Sequence, residues 1–157
     1  MTKTFFKVRL YFVTLSQKIK FLKERGVVMT IQRYGVLEYL YNHRTHPTAE
    51  EIYQGLKNAF PAISRATVYN TLELLKEHRL IQEVVVEKDR ARYDYRTDPH
   101  LHFLCRRCSR VYDLEISPSC PFSPGDEVEG HRVEELKPYI IGVCRRCLEE
   151  EKDARAT

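Results

Sequence analysis

Up to about Leu80 the apolar positions recur with the period of a helix, and beyond it they recur with the period of a strand. Residues 16–25 read as a helix that stops at Gly26, a residue suited to the left-handed position after a helix end. Thr30 can cap a second helix, with Ile31, Tyr34, Leu37 and Tyr41 on one face and Val36 and Leu40 beside them. Thr48 and Glu51 stand at capping-box spacing ahead of the stripe Ile52, Tyr53 and Leu56. Phe60-Pro61-Ala62-Ile63 makes a short connection, and Ser64 caps a fourth helix through His78 with Val68, Leu72 and Leu75 inward. Two β-rich runs, 80–86 and 91–96, flank the polar turn Glu87-Lys88-Asp89-Arg90 and predict a hairpin. Thr97-Asp98-Pro99 breaks the pattern as a hinge. Short strands follow at 102–105, 111–116 and 139–143, and a terminal helix at 145–152.

Three helices followed by a hairpin is the order of a winged helix-turn-helix. The expected fold is therefore α+β: an N-terminal winged helix-turn-helix domain over 1–97, in which 1–14 form an extension, then a small α/β domain over 98–157. Charge sharpens this division. Through Arg96 there are 17 Lys and Arg against 10 Asp and Glu; beyond it there are 9 against 12. The basic front half suits a polyanion, and the acidic rear half does not share that role. The apolar fraction of 43% and charged fraction of 31% are those of a globular chain. Lys3 to Val13 mix basic and apolar residues without a signal-peptide core or a span of about 20 apolar residues, so they read as a helical extension or arm, or as the product of an upstream start codon, and the protein as cytoplasmic, with no membrane partner.

Five cysteines in a reducing compartment point to metal or redox chemistry. Four of them lie in a tetrapeptide that occurs twice, Cys-Arg-Arg-Cys, at Cys105 and Cys108 and again at Cys144 and Cys147. Each pair follows a short strand, and two such knuckles supply four thiolates for tetrahedral Zn²⁺. A filled tetrahedron leaves no open position for catalysis, so the zinc is structural. Arg106, Arg107, Arg145 and Arg146 stand where they could offset the thiolate charge. A thioredoxin-like redox pair needs one such motif in a βαβ setting, not two. Cys120 is the odd cysteine, a loop thiol.

His100 and His102 share one face of an extended strand, while Leu101 points away. Asp94 lies between Tyr93 and Tyr95, and Asp113 sits among apolar strand residues. Taken singly, each has an ordinary explanation as a solvated or locally hydrogen-bonded side chain.

Three stretches carry a resemblance that covers nearly all of 15–150: His46-Pro47-Thr48-Ala49-Glu50-Glu51-Ile52-Tyr53, Ala66-Thr67-Val68-Tyr69-Asn70-Thr71-Leu72, and the two knuckles. Together they resemble the ferric uptake regulator superfamily. The resemblance implies a homodimer whose rear domain carries dimerisation, and a regulatory site made of His46, Asp94, His100, His102 and Asp113. Three nitrogens and two carboxylate oxygens suit Fe²⁺ or Mn²⁺. Aspartate at 113 looks like the peroxide-responsive branch, whereas iron-level regulators commonly carry glutamate there. Leu101 and Leu136 lack the side chains of a further site found in many iron-level members, and His131 reads as solvated, as do His43 and His78 near helix ends. Three departures stand out. Ile31 replaces a frequent proline, and Arg79 a glycine after the recognition helix. Pro118, Pro121, Pro124 and Gly125 fall where relatives have a helix, which they preclude, leaving the dimer interface to strand pairing.

The expected function is a metal-dependent transcriptional repressor, neither an enzyme nor a binder of small organic substrates, whose partner is an operator in double-stranded DNA. The helix from Ser64 would enter the major groove with Arg65, Thr67, Tyr69 and Asn70 nearest the bases. The resemblance singles out Tyr69 for base contact. Arg65, Lys76 and Arg92, with Arg33 and Arg90, are candidates for phosphate neutralisation. The peroxide branch further implies Fe²⁺-driven oxidation of ligand histidines, which would release the DNA; an iron-level repressor without peroxide sensing is the alternative. A zinc deaminase would need a His-x-Glu partner to Pro-Cys-x-x-Cys, which is lacking. A thiol redox switch would use the knuckles themselves.

Overall fold

Helix α1 (Leu15–Glu24) begins one residue before the expected position, because Thr14 and Gln17 form a reciprocal capping box. The computed structural model describes residues 14–87, 90–98, 100–115, 125–134 and 139–156. The N-terminal arm through Val13, the turn at Lys88 and Asp89, and the proline-rich segment with Cys120 lie outside the described residues, as does the side chain of Arg90. Past α1 the chain reverses at Gly26, with φ of 75°. There Gly26 N–H donates to Lys23 O and Val27 N–H to Leu22 O, the paired bonds of a Schellman stop.

Helices α2 (Ile31–Asn42), α3 (Ala49–Leu56) and α4 (Arg65–Glu77) start at the predicted caps Thr30, Thr48 and Ser64. Thr48 and Glu51 complete the capping box. The three pack around Leu22, Val36, Leu37, Leu40, Ile52, Val68, Leu72 and Leu75, all fully buried. One face of α2 differs from expectation: Val36, Leu37 and Leu40 are inward, whereas Ile31 is 71% exposed and Tyr34 and Tyr41 are partly so. Apolar side chains occur all round this helix, so periodicity alone leaves its orientation open. Arg79 ends α4 by the same pair of bonds that Gly26 makes for α1, from Arg79 N–H to Lys76 O and from Leu80 N–H to Leu75 O, at φ of 56°.

The wing is β1 (Gln82–Glu87) paired antiparallel with β2 (Arg90–Asp94). A single bridge from Thr48 to Arg92 lays β2 against the start of α3. In the rear half, β3 (Leu101–Cys105) pairs antiparallel with β4 (Val111–Leu114) and parallel with a strand from Tyr139 to Gly142. Between them lies a hairpin the sequence reading did not foresee, β5 (Glu127–Val128) and β6 (His131–Arg132). Its turn holds Glu129 and Gly130 at positive φ. The strand Tyr139–Gly142 is β7, and helix α5 (Arg145–Ala156) follows it directly.

Two candidate metal centres

The two knuckles converge because β3 and β7 run side by side, which sets Cys105 and the residues after Gly142 at the same end of the sheet. The sulfurs of Cys105 and Cys147 are 3.9 Å apart, those of Cys108 and Cys144 3.8 Å. Four sulfurs held at about 2.3 Å from a tetrahedral ion are separated by about 3.8 Å, so the spacing fits zinc and is far too long for disulfides. Burial works against ionisation of Cys105, but the backbone N–H groups of Cys108, Cys144 and Arg107 outweigh it and hold the thiol below its usual range. Cys147 is pushed the other way, by burial and then by the neighbouring sulfurs. Four such groups lose their protons together only around a cation. The flanking arginines do less than expected: Arg107 turns to the Cys147 carbonyl at 2.9 Å and Arg146 to Glu150. A contribution from Tyr112, whose hydroxyl bonds Cys144, was not anticipated.

The second centre is assembled from four separate stretches of chain. His46, between α2 and α3, has a left-handed backbone with φ of 53°, and its ring is buried. Asp94 ends β2. His102 on β3 stands directly across from Asp113 on β4, and His100 immediately precedes β3. One donor atom from each of the five lies within 4.8 Å of all the others. His46 Nε2 is 2.8 Å from Asp113 Oδ1, His100 Nε2 is 3.0 Å from Asp94 Oδ2 and 3.2 Å from Asp113 Oδ1, and His102 Nε2 is 3.4 Å from Asp94 Oδ2. The nitrogens of His100 and His102 are 3.0 Å apart. Donors about 2.1 Å from a shared ion sit about 3 Å from their neighbours, which matches these contacts. Moreover, His46 Nε2 and Asp113 Oδ1 are buried and only 2.8 Å apart, yet neither completes a hydrogen bond of good geometry, which leaves both donors to a shared cation. The donor set and its convergence fit a divalent ion.

Supporting contacts fix the ligands. The carbonyl of Asp98 lies 2.8 Å from His100 Nδ1, so that nitrogen donates and Nε2 is left to face the nest. Asp94 accepts from the Arg96 backbone N–H at 2.8 Å and from Gln82 Nε2 at 3.0 Å. Burial would raise the pKa of Asp94, but bonds from His100, His102 and Gln82 hold its carboxyl far below the usual range. Asp113 is likewise held down against burial, by His100 and His46. Burial would lower His100, yet Asp113 and Asp94 push it up to about 10. A proton on His100 thus stands in for the cation that the carboxylates demand, and metal binding would expel it. Gln82 and Arg96 escaped the sequence reading. Gln82 was recoverable, since it is the cross-strand partner of Asp94 in the hairpin.

The expected DNA-facing side chains divide. Tyr69 is half exposed on α4, and Asn70 and Arg65 are exposed, with Thr67 half-buried. Arg65 is gripped by Glu50 in two bonds of 2.7 and 2.8 Å and lies over the ring of Tyr53. Lys76 is paired with both Glu73 and Glu83. Arg92, expected at the phosphates, lies between the two halves instead: Nη1 donates to His46 O at 3.1 Å and Nη2 to Ser109 O at 3.2 Å. An antiparallel bridge from Arg92 to Thr48 lays this part of β2 beside the start of α3.

A winged helix followed by a cysteine-knuckle sheet, with two clusters of residues that could each hold a metal ion, is the arrangement of a metal-dependent regulator. Residues 24–118 match the model of the ferric uptake regulator family. The chain is 37% identical over 143 residues to the peroxide operon regulator of Bacillus subtilis (strain 168), spanning 87% of this chain and 95% of that one. It resembles the crystal structure of the Campylobacter jejuni peroxide stress regulator at 30% identity, with a TM-score of 0.58 over 85% of this chain and 99% of that one. The Helicobacter pylori ferric uptake regulator Fur shares the fold, with a TM-score of 0.66 at 21% identity over 88% of this chain and 97% of that one. The chain belongs to the ferric uptake regulator family.

Proposed function

We propose that this protein is a homodimeric, metal-dependent transcriptional repressor that senses peroxide. The observation that carries the reading is the five-donor nest of His46, Asp94, His100, His102 and Asp113, which draws on both halves at once. We take the halves to divide at Thr97, with the winged helix before it and the dimerisation domain after. Cys105, Cys108, Cys144 and Cys147 hold structural Zn²⁺ in the rear half, and the nest holds Fe²⁺ or Mn²⁺. Because His46 and Asp94 belong to the front half and the other three ligands to the hinge and rear, closing the nest fixes one half against the other. That arrangement sets the spacing of paired α4 helices in the dimer, so the metal selects the DNA-competent state through its differential affinity. Tyr69 and Asn70 then face the bases, and Arg65 and Lys76 reach phosphates if their acidic partners yield. Among the described residues no helix is long and apolar enough to cross a membrane.

Bound Fe²⁺ would supply the electrons that cleave peroxide, which Mn²⁺ does not readily do. The nest holds three oxidisable imidazoles, His46, His100 and His102; we take His46 and His100 as the targets, and an oxidised imidazole is a poorer ligand. Proximity favours attack on them before an oxidant diffuses away. Similarity to the peroxide regulators of Bacillus subtilis and Campylobacter jejuni supports this branch over iron-level control. The test loads the protein with Fe²⁺ or Mn²⁺ and measures operator binding before and after brief peroxide exposure. The Fe²⁺ form is expected to release DNA with a one-oxygen mass gain at His46 or His100, and the Mn²⁺ form to stay bound. An Fe²⁺ form indifferent to peroxide would sink the sensing role and favour the iron-level alternative.

A further inference from the structure

Arg92 makes a connection that neither metal centre accounts for alone. Its side chain is 14% exposed, and its two terminal nitrogens are committed to carbonyls in different halves, His46 and Ser109. Each of those residues is a non-glycine held in the left-handed region, at 53° and 55°. Such a conformation is strained for a residue that carries a Cβ and persists only where its surroundings hold it. At one end, His46 must keep this backbone turn for its ring to enter the nest. A second clamp, from Tyr93 N–H to Pro47 O at 3.0 Å, leaves the His46 carbonyl itself to Arg92. At the other end, Ser109 N–H donates to Cys105 O at 2.8 Å, so the Ser109 carbonyl is placed by the first cysteine knuckle. Glu51 Oε2, 3.6 Å from Nη1, balances the guanidinium charge.

We propose that Arg92 is a positioning residue that couples the cysteine knuckle to the regulatory metal centre. Its planar fork spans the two carbonyls and presents His46 to the nest while the Cys105–Cys108 turn is formed. A lysine would reach one carbonyl at a time, and methionine neither. This inference rests on the regulatory role of the nest, and it removes Arg92 from the phosphate contacts.

The experiment measures Mn²⁺ affinity of the zinc-loaded full-length protein without DNA, for the unsubstituted chain, Arg92→Lys and Arg92→Met. Zinc content and thermal stability are followed alongside. Arg92→Met is expected to bind Mn²⁺ about 10–100-fold more weakly, the range for loss of a ligand-orienting contact, with Arg92→Lys intermediate and zinc retained in both. At saturating Mn²⁺, operator binding by Arg92→Lys and Arg92→Met should keep the salt slope of the unsubstituted chain. Unchanged Mn²⁺ affinity in zinc-retaining Arg92→Lys would overturn the coupling, even if Arg92→Met failed to fold. A salt slope reduced by about one unit in Arg92→Met at saturating Mn²⁺ would return the residue to the phosphates. A different failure, in which the unsubstituted chain binds no Mn²⁺ that His46→Ala abolishes, would overturn the regulatory nest and this inference with it.

Discussion

The two halves solve the problem of stability differently. The front half buries a continuous cluster that runs from Leu22 through Tyr95 and draws on all four of its helices and the wing. The rear half, among the described residues, has no comparable core. Its buried clusters are Val84, Leu104 and Val111, the first of these lent by the wing, and Cys105, Cys144 and Cys147. Where a protein of this size places cysteines in the position of leucines, metal–ligand bonds replace apolar burial as the cohesive term. One half therefore folds by excluding water and the other by holding an ion. The five-donor nest proposed as the regulatory site lies at their junction, where neither form of cohesion alone fixes the geometry.

The largest effect should come from removing the rear half's staple. Cys144→Ser is expected to abolish zinc binding and with it the rear fold and the dimer, while helical signal from the front half persists. Zinc per chain, oligomer size and circular dichroism report this, and a zinc-free variant that stays a stable dimer would erase the contrast. Leu72→Ala should do the opposite, destabilising the front half by about 2–5 kcal/mol with zinc retained. Chemical denaturation with zinc release as a second probe separates the two.

A third test concerns Lys18, which is fully buried on α1 and donates to the carbonyls of Leu80 and Tyr95 at the two ends of the wing. Burial, followed by the charge of Arg44, lowers its pKa from 10.5 to about 7, against the pull of Asp94 and Asp98. Between those values the unfolded chain holds a proton that the folded one does not, so stability rises with pH across the window. Below about 7 both states are protonated and the full cost of burying an ammonium remains. Relative to Lys18→Met, the unsubstituted protein should gain up to about 1.4 kcal/mol per pH unit between pH 7 and 10. The comparison must be a difference, since His100, raised to about 10, stabilises the metal-free protein below 6.5 and loses that contribution as pH rises. A flat difference would place the Lys18 amine in water. The smallest effect is expected at Arg79, where Arg79→Gly should relieve the left-handed strain and raise the melting temperature by an amount corresponding to about 1 kcal/mol or less. Lower stability would mean that the arginine side chain outweighs its backbone cost.

What the sequence by itself determined is what short-range chemistry encodes. A threonine three residues before a glutamate starts α3, the doubled Cys-Arg-Arg-Cys supplies four sulfurs, and His100 and His102 share a strand face, because each pattern acts within a turn or two of chain. Resemblance then gathered His46, Asp94 and Asp113 around that pair, and they do converge. Other features depended on which surfaces meet. The buried face of α2 was settled by its neighbours, because an apolar girdle offers more than one. The left-handed turn at His46 has no local signal, since it is held by contacts from β2. Arg92 has the same charge as a phosphate contact would, and the packing of β2 against the start of α3 and the first knuckle brings it to two carbonyls. Charge and hydrophobicity are properties of residues, but direction and distance belong to the packing of segments far apart in the chain.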